Sequence, residues 1–358
     1  MVGLTLTRYF AVRFAKTVFA GFAAVFFLIY TIDLVEMLRR AGDTPGATGL
    51  VMAWVSFLHS PIVAEQALPF AVMFGAMIAF LNLSRKLELV VARAAGVSVW
   101  QFLTPTLVVV LLIGVASVVA YNPLSANMKL QAERIEAKLF GGAATSRSVW
   151  IRQKSVDGQA VIHADGKEAS GIDLIGVQVF EFDENGVFTD RVDAVSASLR
   201  EGHWLLRDAK IVAPGVDTVE TAKYLMATAL TPSEVQQAFV IPETVPFWSL
   251  PGLVAQTENA GLDATAYRLK YQELLARPVL LAAMVLVAAC FSLRFFRMGG
   301  VEYMVSGGVA SGFVLYVGTK LVSDLGSAGF ISATMAGWSP GALGCLVGVY
   351  VLLHQEDG

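Results

Sequence analysis

Val97 to Met128 reads VSVWQFLTPTLVVVLLIGVASVVAYNPLSANM, and no Asp, Glu, Lys or Arg interrupts it. A helix needs about 20 mostly apolar residues to cross the hydrocarbon core of a bilayer, so this stretch is long enough to span one. Uncharged runs also cover Thr17–Ile32, Ala67–Leu83, Pro278–Leu293, Tyr303–Thr319 and Leu325–Leu353. With flanking residues that snorkel, each becomes a candidate span. The pattern predicts membrane helices at about 12–38, 62–86, 98–124, 274–297, 302–323 and 329–353.

Composition supports this reading. The 358 residues are 56% hydrophobic and 15% charged, with a mean hydropathy of +0.63, whereas soluble domains carry about 25% charged residues. The net charge of −3 and the lack of a basic tract argue against a nucleic-acid partner. Cys290 and Cys345 both fall in apolar runs and are expected to pack as free thiols. Arg8, Arg13 and Lys16 precede the first apolar run, as in a secretory signal. Asp33 and Glu36 follow it in place of a small-residue cleavage site, so an uncleaved first helix is expected.

Between the third and fourth spans the composition turns ordinary. Ser148-Val-Trp-Ile-Arg152, Ala160-Val-Ile-His-Ala164, Ile172–Phe182, Val192–Leu199 and His203–Val212 are short β-rich segments. The turn sequence Asp183-Glu-Asn-Gly186 separates two of them, and Asn-Gly between apolar stretches is a strong hairpin signal. The expected architecture is an α-helical polytopic membrane protein of six spans with an inserted all-β, jelly-roll-like domain. Its units are 1–125 (three spans with a short connecting helix at about 84–97), 126–265 (the β domain with helical connectors) and 266–358 (three spans).

Lys and Arg near span ends set orientation. Arg8, Arg13 and Lys16, then Arg85, Lys86 and Arg93, then Arg294 and Arg297 mark the cytoplasmic side. Both termini are then cytoplasmic, and the β domain faces the periplasm of a Gram-negative cell.

Several constellations could carry function. In Ser84–Ser98, good helix formers run from Leu87 to Ala95, and Gly96 is placed to end the helix in a left-handed cap. Such a helix, offering Glu88 and Arg93, suits either docking of a soluble partner or an interfacial connector with solvated charges. At the far end of the first span, Glu36, Arg39 and Arg40 would lie near the headgroup plane. They suit either bidentate phosphate binding or snorkelling with a Glu36–Arg40 pair. Lys129 and Arg134, and Lys270 and Arg277, flank the neighbouring spans and could line the same anionic cavity. Lys129–Lys138 also reads as a solvated helix, and Arg277, abutting Pro278, is the stronger candidate of this group. Lys320 and Asp324 are spaced for an i,i+4 pair at membrane depth. The small residues Gly307, Gly308, Ser311 and Gly312 suggest a close helix interface within a larger complex. His59, Ser60 and Glu65 are read as a loop-to-helix start, because no H-E-x-x-H or G-x-S-x-G framework surrounds them. No metal site is indicated.

Glu88-Leu-Val-Val-Ala-Arg-Ala-Ala-Gly-Val-Ser98 resembles the coupling-helix motif of the LptF/LptG lipopolysaccharide export permeases. Glu36-Met-Leu-Arg-Arg-Ala-Gly42, Pro246-Phe-Trp-Ser-Leu-Pro251, Asn259–Asp263, Tyr267, Arg277-Pro278, Gly312–Tyr316 and Ala336–Pro340 extend the resemblance along the chain, on the LptG side of that family. It implies a non-catalytic permease subunit of an ABC transporter in the inner membrane, which extracts lipopolysaccharide and passes it to a periplasmic bridge. Implied partners are an LptF-like permease, an LptB-like ATPase dimer and LptC-like and LptA-like periplasmic proteins. The chain lacks a G-x-x-x-x-G-K-[ST] phosphate loop, so ATP and Mg would be used by the ATPase and no cofactor by this chain. Carried over, Glu88, Leu89, Val90, Arg93 and Gly96 would couple to the ATPase. Glu36, Arg39, Arg40, Lys129, Arg134 and Arg277 would meet the substrate. Asp33 departs from the family, which often carries a basic residue nearby, and implies altered headgroup pairing. The alternative from a different class is a mechanotransmission protein that moves a periplasmic domain without passing substrate.

Overall fold

The computed structural model describes residues 4–42, 44–86, 88, 91, 94, 96, 98–140, 149–155, 158–167, 173–183, 187–200, 202–215, 217–228, 231, 242–259, 263–295 and 301–357. Among them, six helices are long and apolar enough to cross a membrane. These are α1 (Leu4–Ala41), α2 (Gly49–Arg85), α3 (Val99–Ala116, continuing into α4), α6 (Thr265–Phe295), α7 (Val301–Ser327) and α8 (Ala333–Asp357). A π-helical turn at Ser117–Tyr121 joins α3 to α4 (Asn122–Phe140), and α5 (Leu250–Asn259) precedes α6.

The helices outrun the uncharged runs that announce them. α2 begins at Gly49, where the Thr48 side chain accepts from the Val51 N–H, and it passes through Pro61 and Pro69 without ending. α3 starts in a reciprocal capping box. Ser98 Oγ accepts from the Gln101 N–H, and the Gln101 side chain accepts from the Ser98 N–H. His59, Ser60 and Glu65 therefore sit in the middle of a helix, which corrects the loop-to-helix reading.

α2 and α6 form the centre of the bundle. Phe14, Val72, Met73, Phe80, Phe102, Leu281 and Val285 belong to one buried cluster drawn from α1, α2, α3 and α6. Water is absent between lipid-embedded helices, so close backbone approach replaces the hydrophobic effect as the packing device. On α8, a Cβ at Gly344 would come 2.9 Å from Ala283 Cβ, and one at Gly348 would come 2.7 Å from Leu286 Cβ. The α7 glycines turn inward too. Gly307 lies against Phe291, Gly308 against Met77 and Gly312 against Met73. The expected close helix approach at these glycines is present, and it is made by α2 and α6 of this chain.

The inserted domain is one antiparallel sheet whose strands pair in sequence order: β1 (Val149–Ser155), β2 (Gly158–Lys167), β3 (Leu174–Phe182), β4 (Phe188–Arg200), β5 (His203–Val212) and β6 (Val219–Ala227). Alternation of side chains puts Ile151, Ile162, Val179, Val192, Trp204 and Leu206 on one face, all in a single buried cluster. A lone sheet can bury a whole face only by rolling, and Gln153 records the roll. From β1 its amide donates to the Ala227 carbonyl at the end of β6 (3.2 Å), and its oxygen accepts from Trp204 Nε1 (3.3 Å) and Thr228 Oγ1 (2.6 Å). β3 and β4 pair on either side of the expected Asn-Gly hairpin. Its tip, Glu184–Gly186, lies outside the described residues, but Asp183 closes it by hydrogen bonds with Val187.

Candidate functional site

The site has two ends, joined by α1. At the N-terminal end of α1, Arg13 Nη1 donates to both carboxylate oxygens of Glu88, at 3.0 and 3.1 Å. Tyr9 OH donates to the same carboxylate at 3.1 Å, and the Arg13 guanidinium lies over the Tyr9 ring. Glu88, Val91 and Ala94 are helical, and Gly96 has φ +81°, the left-handed conformation that ends a helix. Leu89, Val90 and Arg93 lie outside the described residues. The Glu88 side chain keeps 30% of its surface exposed, so it can still accept a bond from outside. Arg13 was not singled out from the sequence as its partner.

The opposite end of α1 carries Glu36, Arg39 and Arg40. Arg39 grips Glu36 with two parallel bonds (Nη2–Oε1 2.7 Å, Nε–Oε2 3.0 Å). Arg40 turns away from Glu36, stacks on the Phe140 ring and approaches Glu136 Oε2 of α4 at 3.5 Å. The Glu36–Arg40 pairing is corrected on this point, and the reason is tertiary. Met37 and Ala41 pack against Met52, Val55 and Ala132, which seats α4 beside α1 and offers Arg40 a second carboxylate. Lys129 pairs with Glu133 (3.7 Å) on α4, while Arg134 is exposed. The expected collar of cations is assembled on α1 and α4, but Arg39, Arg40 and Lys129 each already hold a carboxylate.

One level deeper, Asp33 Oδ1 meets His59 Nδ1 of α2 at 2.7 Å. Beside this pair, Tyr30, Leu50, Ala53, Trp54 and Phe57 line an open apolar cup of about 410 Å³ between α1 and α2. Trp54 and Phe57 stack with ring centroids 5.7 Å apart. Charged side chains and an aromatic hollow toward the same end of α1 are the kind of surface that suits an amphiphile.

Arg277 is placed differently from its expected role at the rim. Its guanidinium points into the bundle and pairs with Glu65 of α2, which is only 3% exposed. Asn122 Nδ2 (2.9 Å) and Ser125 Oγ (2.6 Å) donate to the remaining Glu65 valences. A carboxylate this buried at membrane depth is costly unless paired, and Glu65 finds these partners within the chain. Glu65 is the only acidic residue of α2, a signal in the sequence that its neighbour His59 obscured. Lys320 and Asp324 form their i,i+4 pair on α7 at 3.2 Å, with both side chains exposed.

Six bilayer-length helices among the described residues, with a sheet inserted between the third and fourth, define a polytopic membrane protein. The family model of the lipopolysaccharide export system permease LptF/LptG matches residues 8–354, and the chain belongs to that family. Over 370 residues it is 22% identical to the lipopolysaccharide export system permease protein LptG of Haemophilus influenzae, with 99% of each chain covered. It is accordingly a multi-pass inner-membrane subunit for lipopolysaccharide transport, and a non-catalytic one.

Proposed function

We propose that this chain is the LptG-like half of an ABC exporter that lifts lipopolysaccharide from the inner membrane and hands it to a periplasmic bridge. The observation that carries this reading is the grouping of Glu36, Arg39, Arg40 and the Tyr30-lined aromatic cup toward one end of α1. The opposite end of α1 holds Glu88, whose side chain keeps 30% of its surface exposed. Phosphorylated headgroups suit the guanidinium groups, and acyl chains suit Tyr30, Trp54 and Phe57. The chain has no phosphate-binding loop of its own, so ATP and Mg are used by an LptB-like dimer that docks on the Glu88 segment. The positive-inside rule puts that segment and both termini in the cytoplasm and the sheet domain in the periplasm. An LptF-like permease completes the cavity, and LptC-like and LptA-like domains extend the sheet into a bridge. Shielding is required because each exposed acyl CH₂ costs about 0.8 kcal/mol.

The test is ATP turnover of the assembled complex in nanodiscs with and without lipopolysaccharide. Transport predicts that added lipopolysaccharide changes turnover and that label is delivered to a soluble acceptor. A turnover indifferent to lipopolysaccharide, with ATP-dependent movement of the sheet domain intact, favours mechanotransmission and overturns the transport reading.

A further inference from the structure

The motif Pro246-Phe-Trp-Ser-Leu-Pro251 and the buried Glu65–Arg277 pair find no use in substrate binding or ATPase docking, yet they meet at one place. α3 leaves the bundle through the π-helical turn Ser117–Tyr121. A π turn widens the helix and frees backbone groups for outside partners, so it marks a bend with a purpose. The segment returning from the sheet domain supplies those partners. Phe247 N–H donates to Asn122 Oδ1 at 2.9 Å, and Trp248 Nε1 donates to the Val119 carbonyl at 3.2 Å. Phe247 also stacks on Tyr271 of α6, with centroids 5.5 Å apart, and Leu250 is fully buried beside Val118 and Leu274.

Asn122 is thus shared. Its amide nitrogen holds Glu65 of α2 while its oxygen holds the return segment, and Glu65 in turn holds Arg277 of α6. Tyr121 OH donates to the Pro61 carbonyl of α2 at 3.0 Å, and Gly114 lies too close to Pro278 for a Cβ, which would come 2.6 Å from Pro278 Cα. Each of the three helices carries a break in regular hydrogen bonding at this level: Pro61, the π turn and Pro278. Both covalent connections to the sheet domain, the outgoing α4 and the returning Pro242–Asn259, are rooted here.

We propose that Glu65, Arg277 and Asn122 form a joint that fixes both roots of the inserted domain to α2 and α6 and carries movement of those helices into it. This rests on the reading that an external ATPase moves the bundle. Glu65 and Arg277 act as positioning residues, and neither touches substrate.

The experiment uses the full complex in proteoliposomes, with spin labels at the exposed Val314 of α7, which lies outside the joint, and the exposed Val195 of β4 in the sheet domain. Three quantities are read: ATP turnover, delivery of labelled lipopolysaccharide to a soluble acceptor, and the ATP-dependent change in label distance. Glu65→Gln and Arg277→Leu are expected to keep turnover within about twofold, lower delivery about fivefold or more, and abolish the distance change. Arg277→Lys, which retains the charge, is expected to restore at least about half of the delivery. Trp248→Phe, which removes the indole N–H and one ring of a largely exposed side chain, should reduce the distance change without altering assembly. The proposal is overturned if Glu65→Gln retains both delivery and the distance change. It is equally overturned if turnover and delivery fall together in properly assembled complex, or if Arg277→Lys is as defective as Arg277→Leu. A wild-type complex that shows neither ATP-driven delivery nor an ATP-dependent distance change contradicts the exporter reading itself, before any variant is compared.

Discussion

Arg13 Nη1 stands 3.0 Å from Glu88 Oε2, so the carboxylate on the exposed connecting segment is held by the first helix of the same chain. On the proposed docking role of Glu88, an ATPase bound there would meet α1 as well. Along the helix, Arg13 and Asp33 are about 30 Å apart at 1.5 Å per residue, roughly one hydrocarbon thickness. One continuous helix connects the partner of Glu88 to the charged collar.

Replacing Glu88 by Lys places two cations together and removes the acceptor. Glu88→Lys is expected to insert normally but to lose co-purification with the ATPase. Recovery of ATPase at the wild-type ratio would contradict the docking role. Arg13→Ala should cost less than about 1 kcal/mol in stability, because the pair is partly solvated. It should nonetheless weaken ATPase association about threefold to tenfold by freeing the Glu88 rotamers. A titration of labelled ATPase against the permease in nanodiscs measures both variants.

At the collar, Glu36 competes with any phosphate for Arg39. Glu36→Gln is expected to raise lipopolysaccharide binding about twofold to fivefold at low salt, with the gain lost as ionic strength rises. Photo-crosslinkers at Arg39 and Arg40 should capture labelled lipopolysaccharide, while one at Arg277 should not, because that side chain is turned onto Glu65. Efficient capture from Arg277 would place the ligand inside the bundle.

Gly75 lies where α1 crosses α2, and a Cβ there would come 2.8 Å from both Cα and Cγ2 of Val18. The obstacle is partly backbone, so side-chain rotation cannot relieve it. Gly75→Ala is expected to destabilise the bundle by about 1–3 kcal/mol through overpacking, read as a lower midpoint in detergent-titrated unfolding. Gly252, whose added Cβ meets nothing within 4 Å, should accept Ala with an unchanged midpoint.

In the sheet, Gln153 closes the roll by bonding Trp204, Ala227 and Thr228. Gln153→Ala leaves the buried Trp204 N–H without this acceptor and is expected to cost about 1–3 kcal/mol. Limited proteolysis should show faster cleavage within the sheet domain while the helices stay protected.

The helices and the sheet were legible because their signals are local. Six uncharged runs are visible without knowing what they touch, and alternation along Val192–Leu199 predicts a strand before its neighbours are known. Helix ends were less legible, since α2 starts at Gly49 through a Thr48 cap and tolerates Pro61 and Pro69. A loss of two backbone bonds is affordable where neighbouring helices replace them. The glycines of α7 show the same limit, because spacing reveals that a close approach occurs but not which helix approaches.

What the sequence determined alone was the set of six spans, the inserted sheet and the family. Each follows from hydropathy or from short motifs read along the chain. Tertiary structure decided the pairing of charges. Glu65 with Arg277, Asp33 with His59, Arg40 with Glu136 and Arg13 with Glu88 all join residues far apart in sequence. The physical reason is that a charge in a low-dielectric interior is stable only beside a partner, and the partner is chosen by which helices pack together.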